Sequence, residues 1–228
     1  LKTITNPLDK INHIYKFVQR TVAWSGTNNY WCKKGVKQAL ESKEGNSADI
    51  NLLLVNLLHD AGIEAYPILV STRPHGKINV SFPFRDQFDN VYAYVRLDNN
   101  VFVLDATNKH NPFYITPWDV QFSMGFLVDK ENIQLLEIGD IKNKYHLTVI
   151  NQTEVNADGT ASGIAKTYAS GYAKVERLSM WNKDKKEFKE RYYTSAHKDY
   201  TFDSVDVNYN KNDDSSTLEC FTKFKTEL

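Results

Sequence analysis

The sequence lacks a net charge, a long apolar run and a cysteine framework. Its 28 Lys and Arg residues balance its 28 Asp and Glu residues, so its net charge does not favour binding to nucleic acid or to an anionic membrane. No apolar run approaches the roughly 20 residues that a membrane-spanning helix requires. Cys32 and Cys220 lie far apart and form neither a metal-binding spacing nor a disulfide framework. We therefore expect no nucleic-acid partner, no membrane insertion, and no metal or other cofactor.

A leader sequence is also missing. The chain starts at Leu1, without the charged n-region and apolar h-region of a secretory signal. A targeting segment was therefore removed or was never part of this sequence. The last residues, LECFTKFKTEL, have the pattern of a strand that nothing follows. Together these features lead us to expect a piece excised from a longer protein.

The strongest helical pattern follows a short loop of small polar residues. In KEGNSADINLLLVNLLHDAG, apolar residues recur at helical spacing from about residue 47 to residue 61. A helix this apolar is expected at the centre of a core. Asn46 is a candidate N-cap, Asp49 completes a reciprocal capping arrangement, and Gly62 is a natural residue to end the helix.

The other patterns predict an α+β fold. Helical spacing also covers residues 8–22 and, briefly, residues 36–42. The stretch EAYPILVST reads as a strand, in which Pro67 indicates an edge strand or a bulge. Residues 88–107 alternate like a β-hairpin, and a shorter hairpin is expected over residues 125–138.

A change in the sequence pattern near residue 141 predicts two domains. The stretch that follows has the pattern of a long hairpin with its turn at Asp158–Gly159. Two amphipathic helices and a final hairpin complete the chain. We expect a core domain over residues 1–140 and a truncated, β-rich domain with helices over residues 141–228.

Three short motifs occur in an order that resembles that of a known protein family. The motif GNSAD (residues 45–49) opens the apolar helix, FDNV (88–91) begins the hairpin, and LDAT (104–107) ends it. Over roughly residues 8–135, this arrangement resembles the transglutaminase-like superfamily, whose core is papain-like. The corresponding motifs of that family are G-x-C-x-D, F-N-H-V and L-D-A-T.

The resemblance implies a setting as well as a fold. The stretches ADINLLL, PILVSTR and LDAT look like transglutaminase-like domains of large secreted or periplasmic Bacteroidetes proteins. In those proteins another β-rich domain follows the core, and residues 141–228 would be its beginning. The resemblance thus implies a periplasmic or secreted location, with neighbouring domains of the full-length chain as partners.

The catalytic positions of the family fall on Ser47, Asn90 and Asp105, where the family has Cys, His and Asp. A serine hydroxyl is far less acidic than a thiol and depends even more on a base. An Asn amide cannot accept a proton at neutral pH. Removing triad members costs several orders of magnitude in serine proteases. The three positions therefore predict a degenerate triad that is not competent for acyl transfer.

An alternative prediction is a serine-dependent amide hydrolase or acyltransferase. It would use Ser47 and Asp105 with a non-standard base, His75 or His110, and it requires a histidine within hydrogen-bond reach of the Ser47 hydroxyl. Cys32, in an aromatic loop, is interpreted as a small buried hydrophobe rather than a nucleophile.

The leading prediction is a catalytically inactive domain that acts as a binding or structural module in a multidomain exported bacterial protein. Here the Ser47 hydroxyl should bond to nearby backbone or to Asn90. A remaining cleft would bind a peptide or a glycan, and an occluded cleft would leave a rigid spacer. The candidate cleft-lining residues are Trp24, Tyr30, Trp31 and Tyr92.

Overall fold

The computed structural model describes residues 4–82, 84–129 and 134–227, which form the predicted α+β fold. The chain divides into two compact units, residues 1–141 and 142–228. Each unit combines helices with an antiparallel sheet. Within the described ranges, no helix is at once long and apolar enough to span a membrane.

The first unit places three helices beside a five-stranded antiparallel sheet. Its elements are α1 (Pro7–Thr21), β1 (Ala23–Trp24), α2 (Val36–Ser42), β2 (Glu44–Gly45), α3 (Ser47–Asp60), β3 (Glu64–Val70), β4 (Asn90–Leu97), β5 (Asn100–Leu104), β6 (Ser123–Leu127) and β7 (Gln134–Ile138). The sheet order is β5-β4-β3-β6-β7, and a short parallel ladder joins β1 to β2. The predicted hairpin of β6 and β7 is confirmed, although residues 130–133 of its connection lie outside the described ranges.

Both faces of this sheet are buried. On one face, Ile11 of α1 and Leu54 of α3 pack with Ala93 of β4 in a single hydrophobic cluster. On the other face, Ile68 and Tyr92 belong to a second cluster. Since α3 packs on β3 and β4, the helix that begins at Ser47 crosses the strand that begins at Asn90.

Both predicted ends of α3 are confirmed. The Asn46 side chain accepts a hydrogen bond from the Asp49 amide, and the Asp49 side chain accepts one from the Asn46 amide. At the other end, Gly62 has a φ of 76°, a left-handed conformation that favours glycine. Its amide donates to the His59 carbonyl at 2.9 Å, and the Ile63 amide donates to the Leu58 carbonyl at 2.9 Å. This pair of bonds is the Schellman motif, which satisfies carbonyls that the helix would otherwise leave free.

The prediction that Pro67 marks an edge strand or a bulge is wrong. Pro67 lies in β3, between β4 and β6, and is paired in register with Ala93. Its carbonyl accepts from the amide of Val128, just beyond the end of β6. The amide and carbonyl of a strand residue point to the same side, so an N–H at position 67 would point towards β6 and not towards β4. The β6 ladder ends at this position. A central strand therefore accommodates proline without losing a ladder bond to β4.

The second unit is a five-stranded antiparallel sheet with two helices. Its elements are β8 (Tyr145–Val155), β9 (Thr160–Gly171), α4 (Tyr172–Lys183), α5 (Lys185–Lys189), β10 (Tyr200–Phe202), β11 (Asp206–Asn208) and β12 (Leu218–Glu227). The strand order is β10-β12-β9-β8, and β11 also pairs with β12. The long hairpin around Asp158–Gly159 is confirmed. A π turn, Glu190–Thr194, continues α5.

Candidate functional site

The start of α3 is covered by an aromatic loop, which we define as residues 24–35. The ladder of β1 and β2 fixes the beginning of this loop beside Gly45. The Ser25 amide then donates to the Gly45 carbonyl at 2.9 Å. A side chain at Gly45 would not fit, because its Cβ would lie 2.7 Å from the Cβ of Asp49. Glycine at this position therefore permits the close approach of β2 to the first turn of α3.

Ser47 is fully buried beneath the aromatic loop, with a side-chain exposure of 0%. Its hydroxyl donates to the backbone carbonyl of Asn29 at 3.0 Å and accepts from the backbone amide of the same residue at 2.9 Å. Its own amide donates to the Thr27 carbonyl at 3.1 Å. Ser47 thus fastens the middle of the loop to the first turn of α3.

Asp49 fastens the far end of the loop in the same way. Its buried carboxylate accepts from the amides of Asn46, Lys34 and Gly35 at 3.0, 3.1 and 2.9 Å. The Asn46 side chain adds a bond of 2.7 Å to the Trp31 carbonyl. The sequence identified Asn46 and Asp49 only as helix-capping residues, because the backbone groups of the loop to which they also bond lie more than ten positions upstream.

Asn51, which the sequence analysis missed, connects α3 to the hairpin. Its amide nitrogen donates to the Val91 carbonyl at 3.0 Å and to the Asp105 carboxylate at 2.9 Å. Its amide oxygen accepts from the Ala106 backbone amide at 2.9 Å. A signal for this role existed: Asn51 is a polar residue four positions after Ser47, which places both residues on the same face of α3.

Asp105 lies at the end of β5, where its carboxylate is tied to nearby groups. Besides Asn51, it accepts from the amide and the hydroxyl of Thr107 at 3.0 and 2.7 Å. Its backbone carbonyl accepts from the Tyr15 hydroxyl at 2.7 Å. Burial raises the pKa of the Asp105 carboxyl, and the bonds from Thr107 and Asn51 oppose that rise.

Asn90 begins β4 and bonds along its own strand. Its side-chain oxygen accepts from the Val91 amide at 2.9 Å, and its side-chain nitrogen donates to the Tyr92 hydroxyl at 3.4 Å. Within the described ranges, no hydrogen bond joins Asn90 to Ser47 or to Asp105. The three predicted triad positions thus lie on neighbouring elements, but the described hydrogen bonds do not connect them as a nucleophile, a base and an orienting acid.

Tyr92, a candidate cleft-lining residue, is only 1% exposed. Side chains alternate between the two faces of β4, so Tyr92 lies on the face that points away from α3. It therefore packs in the second cluster rather than lining an open cleft. Its hydroxyl donates to the Asp119 carboxylate at 2.8 Å. Burial, followed by the charges of Asp105 and Asp119, raises its pKa well above the ordinary tyrosine value. Burial also raises the pKa of Asp119 to about 6, against the lowering effect of the bond from Tyr92.

The two loop histidines form their described hydrogen bonds with groups other than Ser47. The Nε2 atom of His75 lies 3.1 Å from the Asp86 carbonyl. The backbone amide of His110 donates to the Asn108 side chain at 3.0 Å, and burial lowers the pKa of its imidazole. Neither imidazole shares a hydrogen bond with the Ser47 hydroxyl in the part of the chain that the structure describes. No group of three His, Cys, Asp or Glu side chains there is arranged to hold a metal ion.

The other three aromatic candidates lie on the aromatic loop. Trp24 and Trp31 are exposed, and Tyr30 is half-buried. The Trp24 indole donates to the Thr27 carbonyl at 3.0 Å. The Tyr30 and Trp31 rings have centroids 5.8 Å apart. A molecule approaching the loop from solvent therefore meets these rings and not Tyr92.

Cys32 should react slowly with alkylating agents. Burial, reinforced by the neighbouring Asp49 carboxylate, raises the pKa of its thiol from 9.0 to about 11. Because the thiolate is the reactive form, we expect iodoacetamide to modify Cys32 about 100-fold more slowly at pH 8 than an unshifted thiol. Peptide mass spectrometry over time would measure this, with the thiol of a Ser81→Cys variant in an exposed loop as reference. Similar rates for the two thiols would refute the expectation.

Comparison with known proteins matches the first part of the chain to a family. The model of the transglutaminase-like superfamily matches residues 1–112. This range runs from α1 through β5 and includes Ser47, Asn90 and Asp105. No curated protein and no solved structure matches the chain. Residues 1–112, from α1 through β5, are thus similar to the transglutaminase-like superfamily.

Proposed function

We propose that the transglutaminase-like domain has lost acyl-transfer activity and serves as a binding or structural module. The observation that carries this proposal is the Ser47 hydroxyl, which is buried and bonded to both backbone groups of Asn29. A nucleophile must reach the substrate carbonyl and give its proton to a base. Here the proton is directed at a backbone carbonyl, and the amide at position 90 cannot act as a base.

Asp105 supports the same proposal. In a working triad the acid orients an imidazole, whereas here both carboxylate oxygens are engaged by Asn51 and Thr107. These bonds join α3 to the end of β5. The acid of the family triad is thus retained as a structural link between the helix and the hairpin.

A binding role is supported by the exposed rings of the aromatic loop. Trp31 has 62% of its surface exposed, and its backbone carbonyl is held by the Asn46 side chain. Large rings on a fixed backbone lose little entropy when they bind a partner. We propose a peptide or a glycan as that partner. The exported, multidomain bacterial setting is part of the proposal and rests on the likeness of ADINLLL, PILVSTR and LDAT to such proteins.

The proposal is tested by asking whether position 47 can be reached and activated. We expect no adduct at Ser47 when the 228-residue chain is treated with a fluorophosphonate and its intact mass is measured, with Ser47→Ala as control. In parallel, the Ser47→Cys variant should be alkylated about 100-fold more slowly than the matched Ser81→Cys variant, because the aromatic loop covers position 47 and no base creates a thiolate.

Two results would contradict the proposal. One is stoichiometric phosphonylation that disappears in Ser47→Ala, which would establish an activated serine and favour the hydrolase alternative. The other is alkylation of the Ser47→Cys variant at the rate of Ser81→Cys or faster, which would show that the position is open to reagents.

A further inference from the structure

The second unit contains a cavity of about 170 Å³ that is independent of the first-unit site. Its floor is formed by Val149, Asn151 and Thr153, which are alternate residues on one face of β8. Aromatic side chains between Tyr192 and Phe202 form much of its wall, and Arg177 of α4 reaches into it. No Asp or Glu is among the described residues that line it.

Small side chains on β9 create the space. Ala161, Ala165 and Ala169 alternate with Gly163 and Thr167 on the face that the helices cover. A side chain would not fit at Gly163, since a Cβ there would lie 2.1 Å from the Gln152 carbonyl oxygen and 2.7 Å from the Phe224 ring. Of these residues, Ala165 and Thr167 line the cavity, and their small side chains leave the volume beneath the aromatic wall unfilled.

Arg177 is a buried cation that has no paired anion in the described part of the chain. Only 8% of its surface is exposed. Its guanidinium donates to the Tyr145 hydroxyl at 2.9 Å and lies 4.3 Å from the centroid of the Tyr192 ring. Neither contact supplies a negative charge, and among residues 4–82, 84–129 and 134–227 no carboxylate forms an ion pair with it. A guanidinium has five N–H donors, so most of its hydrogen-bonding capacity is unused.

The carboxylate next to Arg177 in the sequence is already engaged. Glu176, the preceding residue, accepts from Arg191 at 3.2 Å and from the Tyr192 hydroxyl at 3.0 Å. Arg191 and Arg96, by contrast, each pair with a glutamate at the surface. Burying an unpaired charge is costly, so the Arg177 side chain is expected to have a partner other than the residues that the structure describes.

We propose that the Arg177 cavity binds a small monocarboxylate that carries a ring. One guanidinium matches one carboxylate in charge and can hold it with two parallel hydrogen bonds. The aromatic wall is suited to stack on a ring, either an aromatic ring or the C–H face of a sugar. The side chains of Asn151 and Thr153 have no hydrogen-bond partner among the described residues and offer polar contacts at the floor.

Titration of the 228-residue chain with matched probes tests this proposal and separates the two ring types. Phenylacetate and glucuronate are compared with their neutral counterparts, phenylacetamide and glucose, by two-dimensional NMR. We expect at least one carboxylate to bind, with resonances of β8 and α4 shifting, and its neutral counterpart to bind at least about tenfold more weakly. Binding of phenylacetate identifies an aromatic acid as ligand, and binding of glucuronate identifies a uronic acid.

Two variants locate the binding. Arg177→Met should abolish it, whereas Arg96→Met, which removes another arginine stacked on tyrosine rings, should leave it unchanged. Because Arg177→Met removes a buried contact and can disturb the fold, Val149→Trp provides a second route. Val149 is 54% exposed on the edge strand β8, so tryptophan is tolerated there and blocks the cavity. The proposal is overturned if neither carboxylate binds at about 10 mM, if charge makes no difference, or if Val149→Trp binds like the original chain.

Discussion

Replacing Asp49 with alanine is expected to lower the free energy of unfolding of the first unit by about 3 kcal/mol or more. Its carboxylate is fully buried and holds the amides of Asn46, Lys34 and Gly35. Each buried donor left without an acceptor costs about 1–3 kcal/mol. The loss should appear in urea denaturation followed by tryptophan fluorescence.

The same substitution should release the aromatic loop. Amide exchange of residues 29–35 should accelerate in Asp49→Ala, because the carboxylate holds the C-terminal end of the loop. Asp60→Ala is the matched control at the exposed, opposite end of α3, and it should change stability by no more than about 0.5 kcal/mol. If Asp49→Ala were as harmless as Asp60→Ala, the loop would have to be held mainly by Ser47 and Asn46.

The ends of α3 were predictable because their signals are local. Asn46 and Asp49 are three residues apart, and Gly62 follows the last turn directly, so capping chemistry alone placed them. The bounds of α2 and the hairpin of β8 and β9 were predictable for the same reason. Turn residues and apolar periodicity act over a few positions.

The contacts that form the candidate site could not be predicted from local sequence signals. The bond partner of the Ser47 hydroxyl is the backbone of Asn29, 18 positions away, in a loop without regular structure. Asn51 reaches Asp105 across 54 positions. Backbone groups carry no sequence signature as acceptors, so a buried serine and an exposed one look alike until the loop is placed. Arg177 illustrates the same limit, since its missing counterion depends on which carboxylates approach it in the fold.

The stability of the first unit should fall as the pH rises from about 4 to about 6. The pKa of Asp119 is raised from 3.8 to about 6 by burial. In this window the folded protein keeps a proton that the unfolded chain has released, so the free energy of unfolding decreases with rising pH. The raised pKa of Asp105 acts in the same direction. Asp119→Asn removes one of these titrations and can still accept the bond from Tyr92. We therefore expect it to flatten the slope and to raise stability at pH 7 by about 2 kcal/mol.

Urea denaturation at a series of pH values would measure this effect. Asp98→Asn, which makes the same chemical change in the exposed turn between β4 and β5, should keep the original slope. An unaltered slope in Asp119→Asn would mean that Asp119 is ionised in the folded protein throughout the window. The buried Tyr92 hydroxyl would then stabilise a carboxylate rather than a carboxylic acid. The direction of the pH dependence thus reports whether the Asp119 carboxyl group, on the face of the sheet opposite α3, is protonated in the folded protein. The Ser47 variants cannot reveal this.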